Sequence, residues 1–345
     1  MKELNKIIND GISLPESINR PGTLPLLSLG IALRAYFSTY HQVSMNFFLF
    51  TKDGTPIEED NEHQISYYTS CFEVIIHFQH FAELVCKAFL RNEHPLLALE
   101  SAQKTSIFYK LINNDPITSE EQDNLKSVEF SKSLERICTL AELTKNKENK
   151  IRYNIFAKWQ KPLEQLNILR NRLWHRGTFI LRYPALDQFV GVYILPFVNE
   201  VVSLPEYSNL EAAWKYKPLY CGIDPIKAII NNFSQNSRYT RHEIAFLKEL
   251  GNGAYKNPLW IGPLFSDEDS IVKQRNEYIQ NNVEADALIA HPNRQAKEVL
   301  RCPVCGMLSL LNTEAYVLCI GCNLRIGAEL GSPKSNEFDF SREWF

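Results

Sequence analysis

Arg170, Asn171 and His175 place a permanent cation, an amide and an imidazole close together in the chain. Each suits one part of acid–base chemistry on a phosphate. A guanidinium stays charged, and its planar fork donates two parallel bonds to phosphate oxygens. An imidazole titrates near ~6.5 and can take or give a proton at neutral pH. The amide can orient either the imidazole or the phosphate. Spacing alone carries little, because Arg34 and His41 stand at a similar interval and read as structural. Arg170 differs in having Asn171 directly after it and Gly177 shortly beyond His175.

A second constellation is Cys302, Cys305, Cys319 and Cys322, two Cys-x-x-Cys pairs with thirteen residues between them. This is the spacing of a four-thiolate zinc site. Gly306 relieves the backbone of the first knuckle and Gly321 sits inside the second. A redox pair is the alternative, and the duplication of the pair weighs against it. Four thiolates leave no open coordination position, so the expected zinc is structural. No His or carboxylate joins the four at metal spacing, which weighs against a zinc-dependent enzyme.

The element that must position the first set is residues 162–176. Pro162 suits a first helical position and Gly177 the residue past the end. At about 100° per residue, Leu163, Leu166, Leu169 and Leu173 form an apolar stripe with Arg170 inside it. Asn167, Asn171 and His175 continue beside it as a polar strip. An Arg on an apolar face is costly unless it meets an anion. Glu83, on an upstream helix over 64–91, is the best candidate to meet it across a bundle. In that case Arg170 is a structural partner and not a ligand for phosphate.

The segment Leu169-Arg170-Asn171-Arg172-Leu173-Trp174-His175-Arg176-Gly177 resembles the signature of HEPN domains (higher eukaryotes and prokaryotes nucleotide-binding). The stretch Phe78–Leu90 is similar to the first long helix of such domains, and the resemblance covers roughly 64–200. It implies a helical bundle and a metal-independent ribonuclease. Its catalytic residues would be Arg170, Asn171 and His175, completed by a second copy in a homodimer that supplies both base and acid. It also implies, by analogy only, a toxin or phage-defence role with an antitoxin or defence-system partner. A non-catalytic nucleotide- or partner-binding bundle, with the zinc ribbon as recognition module, is the competing expectation.

The 345 residues suggest two or three units. A hydrophobic content of 45% and a charged content of 22% are those of an ordinary globular chain. The net charge of −3 argues against a general nucleic-acid coating protein. One local stretch is basic: Lys150, Arg152, Lys158, Lys161, Arg170, Arg172, Arg176 and Arg182 face only Glu164. Met1–Asn5 has no apolar run behind a basic start, so a signal peptide is not expected there, and Leu24–Phe37 is expected to be too short and too interrupted to span a bilayer. A cytoplasmic protein without membrane partners is expected, and Cys71, Cys86, Cys138 and Cys221 read as small buried residues.

The expected fold is mainly α: an extension over 1–63, a HEPN-like bundle over 64–203, a helical linker region over 204–296, and a zinc ribbon with tail over 297–345. Within it, Ile75, Phe78, Ala82, Val85 and Phe89 should be core. Leu26–Phe50 reads as a helix, a strand pair or both. Helices are expected over 96–111, 130–143 and 151–176, the last interrupted at Pro162. Residues 178–203 read as a broken helix or a short hairpin. Further helices are expected over 224–233, 241–250 (stopped by Gly251-Asn252-Gly253) and 267–282. Trp214, Tyr216, Tyr220, Tyr239 and Tyr255, with Lys215, Lys217 and Arg241, can stack on bases but fit a core better. The tail 337–345 is acidic and aromatic and suited to docking on another surface.

Overall fold

The computed structural model describes residues 23–44, 62–100, 105–113, 115–118, 121, 125–177, 179–235, 240–260, 270–313, 316–327 and 330. Expectations that touch 1–22, 45–61, Tyr239 and the tail 331–345 lie outside them. The architecture is mainly α, with a small antiparallel sheet bearing the cysteine cluster at its C-terminal end.

Two long helices, α1 (Thr23–Val43) and α2 (Glu62–Glu93), form the spine. They share the core side chains Leu29, Leu33, Tyr36 and Tyr40 on α1 with Cys71, Ile75, Phe78, Ala82, Val85 and Phe89 on α2. The described part of the apolar stretch after Pro25, as far as Val43, is therefore helical. Glu83 and Lys87 pair within α2 at 2.6 Å, yet Lys87 is buried and also donates to Ser127 Oγ at 3.1 Å.

The expected helix over 96–111 is only half present. Pro95–Ala98 is one 3₁₀ turn, Leu99 is extended and bridges Ser127, and α3 begins at Thr105 and ends at Ile112. The Arg136 guanidinium takes the Leu97 and Leu99 carbonyls at 2.7 and 2.8 Å, so they need no helical partners. Helix α4 (Phe130–Leu143) matches expectation and buries Leu134 and Ile137. Helices α5 (Lys147–Lys158) and α6 (Gln160–Arg176) meet at Trp159. The break precedes Pro162, which sits in the first turn of α6, where its missing donor has no intrahelical use. Gly177 ends α6 in the left-handed region at φ 63°, as its position suggested.

Residues 183–202 resolve the open alternative as a broken helix: α7 (Tyr183–Phe189), a π turn at Val190–Ile194, and α8 (Leu195–Val202). By length and composition this stretch is apolar enough to cross a membrane, but half of its most apolar window is buried in the fold. It also carries Asp187, fully buried and bonded to Lys248 Nζ at 2.5 Å. The Lys248 ammonium lies 3.9 Å from the Tyr183 ring centroid and 4.7 Å from that of Tyr36. Burial pushes the Lys248 pKa down, and the Asp187 carboxylate opposes the shift.

Helix α9 (Pro225–Gln235) leads to α10 (Arg241–Tyr255), which carries Lys248. Gly251-Asn252-Gly253 does not stop α10. The helix runs through to Tyr255, and the Phe37 ring of α1 lies against Gly251, 2.3 Å from where a Cβ would stand. The glycine permits a close approach of helix and ring. Helix α11 (Ser270–Asn293) then packs on the sheet β1 (Glu298–Arg301), β2 (Leu308–Asn312), β3 (Tyr316–Cys319) and β4 (Arg325–Gly327), paired antiparallel in that order. The intervening stretches Met307–Leu311 and Tyr316–Leu318 can be read from the sequence as a hairpin, and β2–β3 forms it; the flanking strands β1 and β4 extend the sheet beyond that reading.

Sheet and helices share one core. Val304, Leu324 and the Cys322 sulfur all lie 3.5 Å from the Cβ position of Gly253 on α10. The buried Glu249 carboxylate accepts the Arg325 amide at 2.8 Å and faces His41 Nδ1 at 3.2 Å. Tyr220 and Cys221 donate backbone bonds to Val304 and Pro303 inside the first knuckle.

Candidate functional site

Helix α6 lies across α2 and α4 and buries Leu163, Leu166 and Leu173. Arg170 sits at the border of that buried stripe and is partly exposed. Its guanidinium donates to Asn171 Oδ1 at 2.9 Å and lies 5.7 Å from the centroid of the Trp174 ring.

The expected partnership with Glu83 is not made. The Glu83 oxygens accept from Lys87 and Gln79 of their own helix, at 2.6 and 2.9 Å. Among the described residues no carboxylate pairs with Arg170. The surrounding cations are not all free. Arg152 is paired with Glu206, and Lys158 with Glu200 at 2.6 Å. Among the described residues Arg170 and Arg172, near the C-terminal end of α6, have no carboxylate partner.

Asn171 and His175 are both exposed on α6, along the polar strip that the wheel placed there. Asn171 is committed to Arg170 and leaves the imidazole alone. His175 makes no hydrogen bond or ion pair among the described residues. Five positions separate it from Arg170, about 140° around the helix axis. One copy of α6 therefore presents the cation and the imidazole in different directions.

The facing surface of α2 supplies groups that the sequence reading passed over. Phe72 stacks on Trp174 with ring centroids 6.0 Å apart and planes at 22°. His80 bonds Ser28 Oγ of α1 at 2.7 Å through Nδ1. Burial depresses the His80 pKa below 6.5; Glu83 opposes this, and the charges of His77, Lys87 and Arg170 add to it. Burial lowers the His77 pKa too, Glu73 opposing, and its Nδ1 is buried without a partner. The available signal was the pair His77 and His80 on one side of α2 at i, i+3 spacing, flanked by Glu73 and Glu83.

The second candidate is the cysteine cluster. The four sulfurs lie within 4.8 Å of one another, with Cys302–Cys322 at 3.6 Å and Cys305–Cys319 at 3.7 Å. A disulfide needs about 2.05 Å. Tetrahedral thiolates on one zinc ion, at metal–sulfur bonds of about 2.3 Å, stand about 3.8 Å apart. The arrangement therefore fits one four-coordinate metal ion and is compatible with zinc.

Gly306 takes φ 77° after the first pair, as expected. After the second pair the left-handed residue is Asn323 at φ 56°, not Gly321. Gly321 serves contact: the Met307 methyl lies 2.4 Å from its Cβ position.

The aromatic set downstream is core, not a stacking surface. Trp214, Tyr216 and Tyr255 pack together with Phe37, Tyr216 and Tyr255 edge-to-face at 5.1 Å. Lys215 pairs with Asp224 at 3.0 Å. Tyr220 is exposed, but its ring lies over Gly306 of the knuckle. Of the four scattered cysteines, Cys71 and Cys86 are buried, and Cys138 and Cys221 only partly so.

Compared with known proteins, the chain matches no family model, no curated protein and no solved structure.

Proposed function

We propose that the seam between α2 and α6 is a metal-independent RNA-cleaving site of the HEPN kind, completed by a second copy of the chain. The observation that carries this reading is the state of Arg170. It is partly exposed, stacked on an indole and held by Asn171, and it lacks a carboxylate among the described residues. A cation kept in that condition suits a phosphate, which offers the paired oxygens that its fork matches.

In the proposed reaction a ribose 2′-OH attacks the adjacent phosphorus. One imidazole takes the 2′ proton, and another protonates the departing 5′ oxygen, leaving a 2′,3′-cyclic phosphate. Arg170 balances the charge that develops on the phosphoryl oxygens. His175 supplies one imidazole. Because His175 and Arg170 diverge around α6, the second copy's α6 brings the other imidazole across a homodimer interface. DNA lacks the attacking hydroxyl and is not a substrate. A toxin or antiviral role, with an antitoxin or defence partner, and a cytoplasmic location accompany this reading as proposals. Zinc is the metal proposed for Cys302, Cys305, Cys319 and Cys322, and its role is structural.

The competing reading is a non-catalytic nucleotide- or partner-binding bundle. The observation in its favour is that His175 stands without an orienting hydrogen bond. Incubating the full chain with total RNA, beside His175→Ala, separates the two: a nuclease degrades the RNA and the variant does not, whereas a binding module retards RNA intact.

A further inference from the structure

We propose that Trp174 is a stacking platform for an unpaired nucleobase, placed one helical turn from Arg170 so that a single RNA strand is gripped by base and phosphate together; this rests on the reading of the seam as an RNA site. Trp174 is 57% exposed, whereas Trp214 is 4% exposed and Trp159 and Trp260 are partly covered. The open indole is nonetheless fixed. Phe72 stacks on it, and the Arg170 guanidinium lies against it. A surface indole braced in this way is a preset aromatic plane, so little ordering remains to be lost when a base settles on it.

The neighbouring charge fits the same ligand. Arg170 lies one turn, ~5.4 Å, from Trp174 along the helix, a separation that a nucleotide spans between base and phosphate. Arg172, two residues before Trp174, points to another side of α6, toward the Phe179 ring, so Arg170 is the cation beside the indole. Stacking reads a π face and not a hydrogen-bonding edge, so the platform takes any unpaired base with little sequence preference. A duplex hides its base faces and cannot use it. This supplies what the proposed chemistry needs besides a cation and an imidazole: a device that selects flexible, single-stranded RNA, whose backbone can bring the 2′-OH in line with phosphorus. The other role open to the indole is to seal α2 against α6, in which case its removal lowers the melting temperature and leaves binding alone.

The test is a titration of the full chain with a 2′-O-methyl RNA of about 12 nucleotides, whose blocked 2′ oxygen cannot attack, and with the same sequence as a duplex. Tryptophan emission and fluorescence anisotropy are followed together. The single strand should quench the emission and the duplex should not. Trp174→Ala should lose most of the quenching and weaken Kd roughly tenfold or more. Trp174→Phe keeps a π face and should hold most of the affinity. An unchanged Kd in Trp174→Ala, a duplex that binds and quenches as well as the single strand, or no binding by the wild-type chain overturns the inference. The nuclease reading fails separately. Quenching by the single strand with unmodified RNA left intact keeps the platform and removes the cleavage. Cleavage with the same KM in Trp174→Ala does the reverse.

Discussion

Replacing Arg170 by Ala should cost the fold almost nothing, and that small cost is informative. The side chain gives up one bond to Asn171 on the surface of its own helix and one contact with the Trp174 ring. An exposed cation–π contact is worth about 0.5–1 kcal/mol. Ala is also among the best helix formers, which offsets part of the loss. The expected net effect is below about 1 kcal/mol, or a fall in melting temperature of about 2 °C. The same chain contains the opposite case. Asp187 and Lys248 are both fully buried and bonded at 2.5 Å. Asp187→Ala leaves an ammonium stranded between two rings and should cost about 3–5 kcal/mol. The paired change Asp187→Leu with Lys248→Met removes both charges and should recover much of that loss. Melts followed by circular dichroism, with urea titrations for each variant, read these differences. An Arg170→Ala protein that melts as early as Asp187→Ala would show that Arg170 is a structural cation with a buried partner, and the argument for a phosphate site would fall.

Native protein should carry one zinc ion per chain by elemental analysis, and disulfides among Cys302, Cys305, Cys319 and Cys322 would contradict this. Because the sheet shares its core with α10, Cys305→Ser or removal of the metal should lower the melting transition of the helices themselves, not of the ribbon alone; a helical transition that does not move would separate the two units. Acidification should act through His77 and His80. Their folded pKa values lie below 6.5, so the unfolded chain binds protons first as pH falls. Their contribution is fully present above about pH 6.5 and is lost as pH falls toward the depressed folded values. The double variant His77→Gln, His80→Gln should therefore show a shallower loss of melting temperature between pH 7 and pH 5.5 than the wild type, and an equal slope would refute the assignment. Sedimentation at micromolar concentration should give a homodimer; a monomer that retains full RNA cleavage would argue against a shared site.

What the sequence made legible was local. The α6 wheel placed Leu163, Leu166 and Leu173 in the core and Asn171 and His175 on an open strip, because helical periodicity and burial are tightly coupled there. The cysteine spacing announced the metal cluster, because all four ligands come from two short knuckles. The misses depend on distant contacts. Gly251-Asn252-Gly253 reads as a helix stop until the Phe37 ring from α1 is placed against Gly251. The helix expected from 96 is a single 3₁₀ turn followed by an extended Leu99, because Arg136, on a later helix, captures the Leu97 and Leu99 carbonyls. The Glu83–Lys87 pair follows from their spacing of four on one helix and is made, whereas the reach of Glu83 to Arg170 across the bundle is not, because Lys87 and Gln79 occupy its oxygens. Phe72 escaped notice because nothing in the run of α2 marks which of its residues will face α6; for His80 the only signal was its i, i+3 pairing with His77.

The central claim is that Arg170 and His175 cleave RNA without a catalytic metal. The direct measurement is cleavage of single-stranded RNA by the full chain in EDTA, with the zinc content determined before and after. The account predicts products ending in 2′,3′-cyclic phosphate and 5′-hydroxyl. It predicts a loss of roughly a hundredfold or more in His175→Ala, and impairment in Arg170→Lys, which keeps the charge without the fork. Intact RNA after prolonged incubation with the wild-type chain, or cleavage that persists undiminished in His175→Ala, would contradict it.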